Sequence, residues 1–397
     1  MAKKTSKKTT RKKTSKASPK ASRGSAAARA AEAPPQPGKL SLDLKTFDRI
    51  VGQDRALGVL SAAMGSGRVH HAWVFHGPRG VGKFTTAAAF GAMLIDPSLA
   101  PDLSGRLAPD PDSPVRRLIA QGAHPDFHVV TKELAAFSRE ADVRARKQTN
   151  IPVEVLREFL IEPASRTRAM AGESLAGKVL ILEEAHLLNR EGQNVLLKTL
   201  EEPAPGTVII LCTSNEERLL PTVRSRCQRV GFTLLDPRSM DAWLASSGLP
   251  FARSGLPPWL EAMAGGSPGA VIEATEAGLD AWDSKLRPLL EEAASGGPAI
   301  ALPSQMAALT DAFAKKAVEE ADNASKEAAN REAVRLMLGY VASWARLKLR
   351  GERADPERWA SFIDAIAESE SLIASNVRIL NVMEFLVARL RPEPARR

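Results

Sequence analysis

Cysteine is scarce in this 397-residue chain, which contains only Cys212 and Cys227. Two thiols cannot build a disulfide framework or a four-cysteine zinc site. Long apolar runs are also missing, since no stretch approaches the roughly 18 consecutive apolar residues that indicate a membrane span. These absences exclude a disulfide-stapled module and a transmembrane helix, and they favour a cytoplasmic protein in a reducing environment.

Basic charge is concentrated at one end of the chain, although the whole sequence has a formal net charge of +9. Residues 1–39 contain nine Lys and three Arg against one Glu, so the rest of the chain sums to about −2. Residues 3–38 contain no large apolar residue, which predicts a disordered basic tail rather than a core or a secretory signal. This tail either binds DNA by releasing counterions, extends the chain as a solubilising segment, or contacts an acidic protein surface.

The folded part is organised around a glycine-rich turn, Gly77–Thr85, which lies between an apolar run and the start of a helix. A strand, a glycine-rich turn and a helix in this order predict a phosphate-binding loop, whose backbone N–H groups close around phosphate oxygens. The candidate nucleotide-binding residues of this loop are Gly77, Gly80, Gly82, Lys83 and, as a poor substitute for the missing hydroxyl, Thr85.

The position after Lys83 should be Ser or Thr, whose hydroxyl is a ligand of nucleotide-bound magnesium, but it is Phe84. Thr85 has a hydroxyl, yet one helical step turns it about 100° away from that direction. The loop is therefore predicted to be well formed with impaired metal binding. ATP is expected to bind weakly or not at all, and binding without turnover stays open.

A second signal is the apolar run Val179–Leu182, which predicts a strand buried on both faces of a parallel sheet. Glu183 and Glu184 follow it at the carboxyl end, where ligands bind in open α/β sheets. In a nucleotide hydrolase the first carboxylate helps to hold magnesium and the second polarises the attacking water. Alternatively, both merely solvate the strand end. Ser214, after the buried run Thr207–Thr213, either contacts a γ-phosphate or belongs to a plain turn.

His124 and His128 suggest a metal site by their spacing, but Pro125 disrupts a helix that would align them and no third ligand is evident. They are interpreted as ordinary polar loop histidines, and no metal site is predicted. Beyond Asp236 the pattern becomes wholly helical, with helices predicted over 237–247, 257–264 and 268–277 and more helices from 281 onwards. The fold class predicted is a parallel α/β core followed by all-α regions.

A phosphate loop, an acidic strand end, a polar strand tip and a helical lid together resemble an AAA+ module. Within that class the chain is similar to bacterial clamp-loader subunits of DNA polymerase III, and to the delta-prime subunits above all. The motifs that carry this resemblance are Phe47–Gln53, His71–Phe75, Gly122–Asp126, Asn194–Pro203, Ser225–Cys227 and Gly266–Gly269. Over residues 280–397 only helical character and length support it.

The resemblance implies an AAA+ core over 40–235, a helical lid over 236–279 and a helical collar over 280–397 that serves oligomerisation. It also implies a five-subunit ring with gamma/tau and delta subunits, which uses ATP to load the sliding clamp onto primer–template DNA. Ser225–Cys227 resembles the segment with the family's arginine finger. Arg226 is therefore implied to act in trans, in the ATP site of an adjacent gamma/tau subunit, where a finger contributes about 10³–10⁵ in rate.

Four departures from the family pattern bear on this reading. Phe84 replaces the magnesium hydroxyl, Glu183 replaces the usual Asp, and Gly269 stands where ATP-hydrolysing relatives have a lid arginine. The family's zinc-module cysteines are absent, so no zinc is expected. The first three weaken hydrolysis and leave Arg226 intact. They favour a polymerase-holoenzyme subunit without ATPase or polymerase activity of its own over a gamma/tau-like ATPase. A protein that tethers DNA through its tail stays a separate alternative.

Overall fold

The computed structural model describes residues 42–391 except 103–104, 106, 111, 146–148, 171, 321–325, 352–354 and 376. The predicted basic tail, residues 1–39, lies outside the described residues. None of the helices in the described ranges is both long enough and apolar enough to cross a membrane.

A five-stranded parallel sheet forms the centre of the first half, in the order β4-β5-β6-β1-β7. Two further strands pair as a small antiparallel hairpin. The strands are β1 (Ala72–His76), β2 (Ala100–Pro101), β3 (Leu107–Ala108), β4 (Phe127–Val130), β5 (Lys178–Leu182), β6 (Thr207–Thr213) and β7 (Gln228–Gly231). Since the five sheet strands are parallel, the segments that follow β1, β5 and β6 meet at one edge.

Helices cover both faces of this sheet, which explains why β5 and β6 are buried along their whole length. One apolar cluster contains Phe90 and the other contains Leu196. The helices are α1 (Asp54–Gly65), α2 (Lys83–Ile95), α3 (Pro114–Ala120), α4 (Ala141–Ala145), α5 (Val153–Leu156), a π-helical turn (Arg157–Ile161), α6 (Glu162–Ser165), α7 (Arg190–Glu201) and α8 (Pro221–Arg224). The sheet and the helices on its faces confirm the predicted α/β core.

The second half of the chain is helical and is built around one continuous cluster of buried residues from Leu235 to Leu390. Its helices are α9 (Pro237–Ser246), α10 (Pro258–Ala264), α11 (Pro268–Glu276), α12 (Leu279–Ala294), α13 (Leu302–Glu320), α14 (Lys326–Leu349), α15 (Pro356–Ala374) and α16 (Ile379–Leu390). The all-α character is confirmed. The boundary between lid and collar at 279/280 stays a prediction, because helices on both sides share this core.

The interpretation of the two histidines as polar loop residues holds only for the place of His124, which lies in the turn between α3 and β4. His124 is buried, and its Nδ1 accepts a hydrogen bond from the Asp126 N–H at 3.2 Å. The Asp126 carboxylate in turn accepts from the N–H groups of Ala169 and Met170, which ties this turn to a distant segment. His128 lies within β4, where burial lowers its pKa to about 4.

Candidate functional site

The phosphate-binding loop is formed between β1 and α2, as the sequence pattern predicts. Gly77, Gly80 and Gly82 all have positive φ angles, of 137°, 74° and 93°, which side chains of L-residues rarely adopt. At Gly77 an added Cβ would also lie 2.2 Å from the carbonyl oxygen of Phe232. The loop therefore depends on glycine for its backbone path, whatever it binds.

Lys83 begins α2 and folds back over the loop. Its ammonium group donates to the carbonyl oxygens of Gly77, at 2.8 Å, and of Pro78. The side chain is largely buried, and burial lowers the pKa of Lys83, although the nearby Glu183 acts in the opposite direction. A phosphate group at this loop would have to replace carbonyl acceptors that Lys83 already has.

The residues at the positions where magnesium ligands are expected are poorly suited to bind that ion. Phe84 offers no oxygen, and it packs against the apolar cluster that contains Phe90. Thr85, the nearest hydroxyl, is half-buried in the first turn of α2. Burial, together with the neighbouring Glu184 carboxylate, raises the pKa of Glu183 to about 6. The first carboxylate is thus held in surroundings that disfavour its charge.

Glu184, which follows β5, has a partner of its own. Its φ angle of 49° is left-handed, and its Oε2 lies 2.8 Å from Nζ of Lys132, which follows β4. Ser214 is exposed at the end of β6, with its Oγ 3.4 Å from Nε2 of His186. The predicted residues therefore do gather at the carboxyl edge of the sheet, but the residues present do not fit a magnesium ion.

The start of α11, within the predicted lid, contacts the phosphate-binding loop directly. The N–H of Gly269 donates to the carbonyl oxygen of Gly80 at 2.8 Å, and Oγ of Ser267 donates to the carbonyl oxygen of Arg79 at 2.9 Å. A Cβ at Gly269 would lie 2.5 Å from Cα of Gly80. Any side chain at position 269, arginine included, would therefore require the start of α11 and the loop to move apart.

A charged network continues this contact into the helical half. Arg79 lies 3.0 Å from the carboxylate of Glu273 on α11, and Arg335 on α14 approaches the same oxygen to 2.6 Å. Arg335 also pairs with Glu332 at 2.6 Å. The phosphate-binding loop, α11 and α14 are therefore linked through one carboxylate.

Arg226 lies at the opposite edge of the sheet. It occupies the turn between α8 and β7, and β7 begins at Gln228, which is in register with Trp73 near the start of β1. The phosphate-binding loop follows the other end of β1, level with Phe232. The four residue steps from Gln228 to Phe232 span about 13 Å at about 3.3 Å per residue. Arg226 is therefore remote from the phosphate-binding loop of its own chain.

The guanidinium of Arg226 is held by two partners. Its Nη2 lies 2.5 Å from Oε1 of Glu201, the last residue of α7, and its Nη1 donates to the carbonyl oxygen of Thr222 at 2.9 Å. About 36% of the side chain remains exposed. The arginine is thus positioned at the surface with part of its hydrogen-bonding capacity still available.

Sequence reasoning missed three residues that contact the predicted site: Lys132, Glu201 and Glu273. Lys132 had a usable signal, because it follows β4 closely and parallel strands bring their carboxyl ends together. Glu201 and Glu273 had no such signal, because their partners are set by how helices pack. Among the described residues, no group of three or more His, Cys, Asp or Glu side chains is arranged to hold a metal ion.

Residues 52–236 match the family of the DNA polymerase III delta subunit. DNA polymerase III subunit gamma/tau of Mycobacterium bovis is 33% identical over 200 residues, which cover 50% of this chain and 31% of that protein. Subunit delta′ of Pseudomonas aeruginosa is 32% identical over 198 residues, which cover 50% of this chain and 53% of that protein. The chain thus spans about half or less of these relatives, and identity does not separate the two subunit types.

Two experimentally determined structures resemble the overall fold more distantly. A gamma subunit-related protein from Thermotoga maritima is 14% identical, with a TM-score of 0.41 over 85% of this chain and 99% of that one. A mutant of RuvB from the same organism is also 14% identical, with a TM-score of 0.38 over 88% of this chain and 91% of that one. Similarity at this level carries no information about the function of this chain.

Proposed function

We propose that this chain, whose resemblance to DNA polymerase III subunits is confirmed over residues 52–236, is a delta-prime-like subunit of the clamp loader. In this role it hydrolyses no ATP itself and donates Arg226 as an arginine finger to the ATP site of a neighbouring gamma/tau subunit. Its other partners are the delta subunit and, through the complex, the sliding clamp and primer–template DNA in the cytoplasm.

The position of Arg226 is the observation that carries this proposal. Arg226 lies at the amino edge of the sheet, whereas the phosphate-binding loop of the same chain lies at the carboxyl edge. A guanidinium exposed there is available to a second molecule and not to its own loop. An arginine supplied in this way neutralises charge that develops on the transferred phosphoryl group.

The residues around the chain's own phosphate-binding loop support the proposal that this subunit does not hydrolyse ATP. Phe84 supplies no metal ligand, Glu184 is paired with Lys132, and Gly269 packs on Gly80. The loop therefore lacks the hydroxyl ligand for magnesium, and one of its two candidate carboxylates is already paired. The chain is therefore assigned a supporting role in the ATPase cycle of its neighbours.

The test is pre-steady-state ATP hydrolysis by the complex assembled with gamma/tau and delta subunits, clamp and primed DNA. Replacing Arg226 with Ala should slow hydrolysis at one site by about 10³–10⁵, so that the rapid phase loses one ATP per complex. Arg238→Ala, which removes an exposed arginine on α9, is the matched control. A full rapid phase in the Arg226→Ala complex would contradict the finger role.

A gamma/tau-like ATPase is the second candidate, because Lys83 is retained and the Mycobacterium bovis gamma/tau subunit is 33% identical. This candidate predicts magnesium-dependent ATP turnover by the purified chain alone, abolished by Lys83→Ala. Absence of turnover by the purified chain would remove it and leave the proposed trans-acting role intact.

A further inference from the structure

We propose that Glu201 is a positioning residue for Arg226: it holds the guanidinium in the place and plane that the neighbouring ATP site requires. This inference rests on the proposed function of Arg226 and adds a second residue to it. Glu201 would act only through the arginine and would not contact the nucleotide.

The topology brings these two residues together. Helix α7 follows β5 and precedes β6, so in a parallel sheet it runs back from the carboxyl edge to the amino edge. Its last residue, Glu201, therefore reaches the edge where Arg226 lies before β7. The N–H of Arg226 also donates to the carbonyl oxygen of Val223 at 3.2 Å, which fixes its backbone at the end of α8.

The contacts of the guanidinium leave room for a third partner. Arginine carries five N–H donors in one planar fork. The contacts to Glu201 and to the Thr222 carbonyl oxygen involve Nη2 and Nη1, one on each terminal nitrogen. Two anchors on different helices define the plane of the fork, and the donors that remain can reach phosphate oxygens from the exposed side.

The ion pair between Arg226 and Glu201 is too exposed to contribute much to the stability of the fold. The side chains of Arg226 and Glu201 are 36% and 46% exposed, and ion pairs in such surroundings contribute little to stability. Losing the Glu201 carboxylate should therefore leave the fold and the thermal midpoint unchanged. A structural role and a positioning role thus predict different results.

The expected kinetic effect follows from geometry. Misplacing a catalytic group by about 1 Å can cost about 10²-fold in rate. Because the finger acts on charge that develops in the transition state, the loss should appear in the hydrolysis rate constant and not in the ATP concentration for half-maximal rate. We expect Glu201→Ala to slow hydrolysis at the neighbouring site about 10- to 100-fold.

The experiment measures single-turnover hydrolysis in the assembled complex with Glu201→Ala, Glu201→Gln, Arg226→Ala and the Glu201→Ala/Arg226→Ala double variant. Glu201→Gln keeps the size and one acceptor oxygen, so its loss should be smaller than that of Glu201→Ala. The double variant should be no slower than Arg226→Ala alone, because Glu201 acts through the arginine. Glu202→Ala is the matched control, since the Glu202 side chain is exposed and forms no ion pair with a described residue.

Three results would overturn the inference. If Arg226→Ala slows hydrolysis but Glu201→Ala does not, the finger role stands and the positioning role fails. If Glu201→Ala accelerates hydrolysis, the carboxylate restrains the arginine and does not position it. If neither variant changes the rate, the proposed function itself fails.

Discussion

The contact between lid and phosphate-binding loop predicts that one glycine-to-alanine substitution destabilises the protein while another stabilises it. At Gly269 an added Cβ would lie 2.5 Å from Cα and 3.1 Å from the carbonyl oxygen of Gly80. At Gly58, on the exposed side of α1, an added Cβ would meet nothing within 4 Å. Both glycines are helical, so intrinsic helix propensity favours alanine at both positions.

The size of the effect can be worked out from the contacts. Parting the lid from the loop breaks the Gly269–Gly80 and Ser267–Arg79 hydrogen bonds, each worth about 0.5–1.5 kcal/mol. Alanine recovers about 0.5–1 kcal/mol of helix propensity. At the centre of these ranges Gly269→Ala should therefore lower the free energy of unfolding by about 1 kcal/mol, and Gly58→Ala should raise it by about 0.5–1 kcal/mol.

Two measurements check this pair of variants. Chemical unfolding followed by circular dichroism gives the sign and size of each change. Amide hydrogen exchange locates it: in Gly269→Ala, exchange should accelerate in residues 77–83 and 266–270, whereas Gly58→Ala should leave these segments protected. If Gly269→Ala stabilised the protein as Gly58→Ala does, the close packing of lid on loop would be refuted.

Three further predictions concern single features. Since burial raises the pKa of Glu183 from 4.5 to about 6, its ionisation destabilises the fold increasingly between pH 4.5 and 6 and fully above pH 6. Glu183→Gln should therefore add up to about 2 kcal/mol to the free energy of unfolding at pH 7.5. That gain should shrink as pH falls towards 4.5. Urea unfolding of both proteins at pH 7.5 and pH 5 measures it, and an equal gain at the two pH values would contradict the prediction. Tyr340→Phe removes the hydroxyl that donates to Asp283 at 3.0 Å, and calorimetry should show a loss of about 1–3 kcal/mol. Deleting residues 1–38 should weaken DNA binding at low salt and flatten its salt dependence; unchanged affinity in a salt titration would exclude the tail as a DNA contact.

The sequence predicted the sheet well because its strands are buried on both faces. Val179–Leu182 and Val208–Cys212 are continuous apolar runs, and the structure places β5 and β6 over them. The order of the motifs then placed the phosphate-binding loop, Glu183 and Ser214 at one edge, because parallel strands share their carboxyl edge.

The rest depended on packing between residues far apart in the chain. The contact of Gly80 with Gly269 joins residues that no local pattern connects, and it exists because α11 begins against the loop. The partner of Arg226 depended on where α7 ends relative to the turn before β7. The burial of His124 was missed for a similar reason, since the turn that contains it is held by hydrogen bonds from residues 169–170 to Asp126.

The most direct test of the trans-acting arginine is the structure of the assembled complex with a non-hydrolysable ATP analogue bound. The account predicts a guanidinium nitrogen of Arg226 within about 2.7–3.2 Å of a γ-phosphate oxygen in the neighbouring subunit, with Glu201 still in contact with the arginine. An Arg226 side chain that faces solvent, or that contacts only its own chain in that complex, would contradict it.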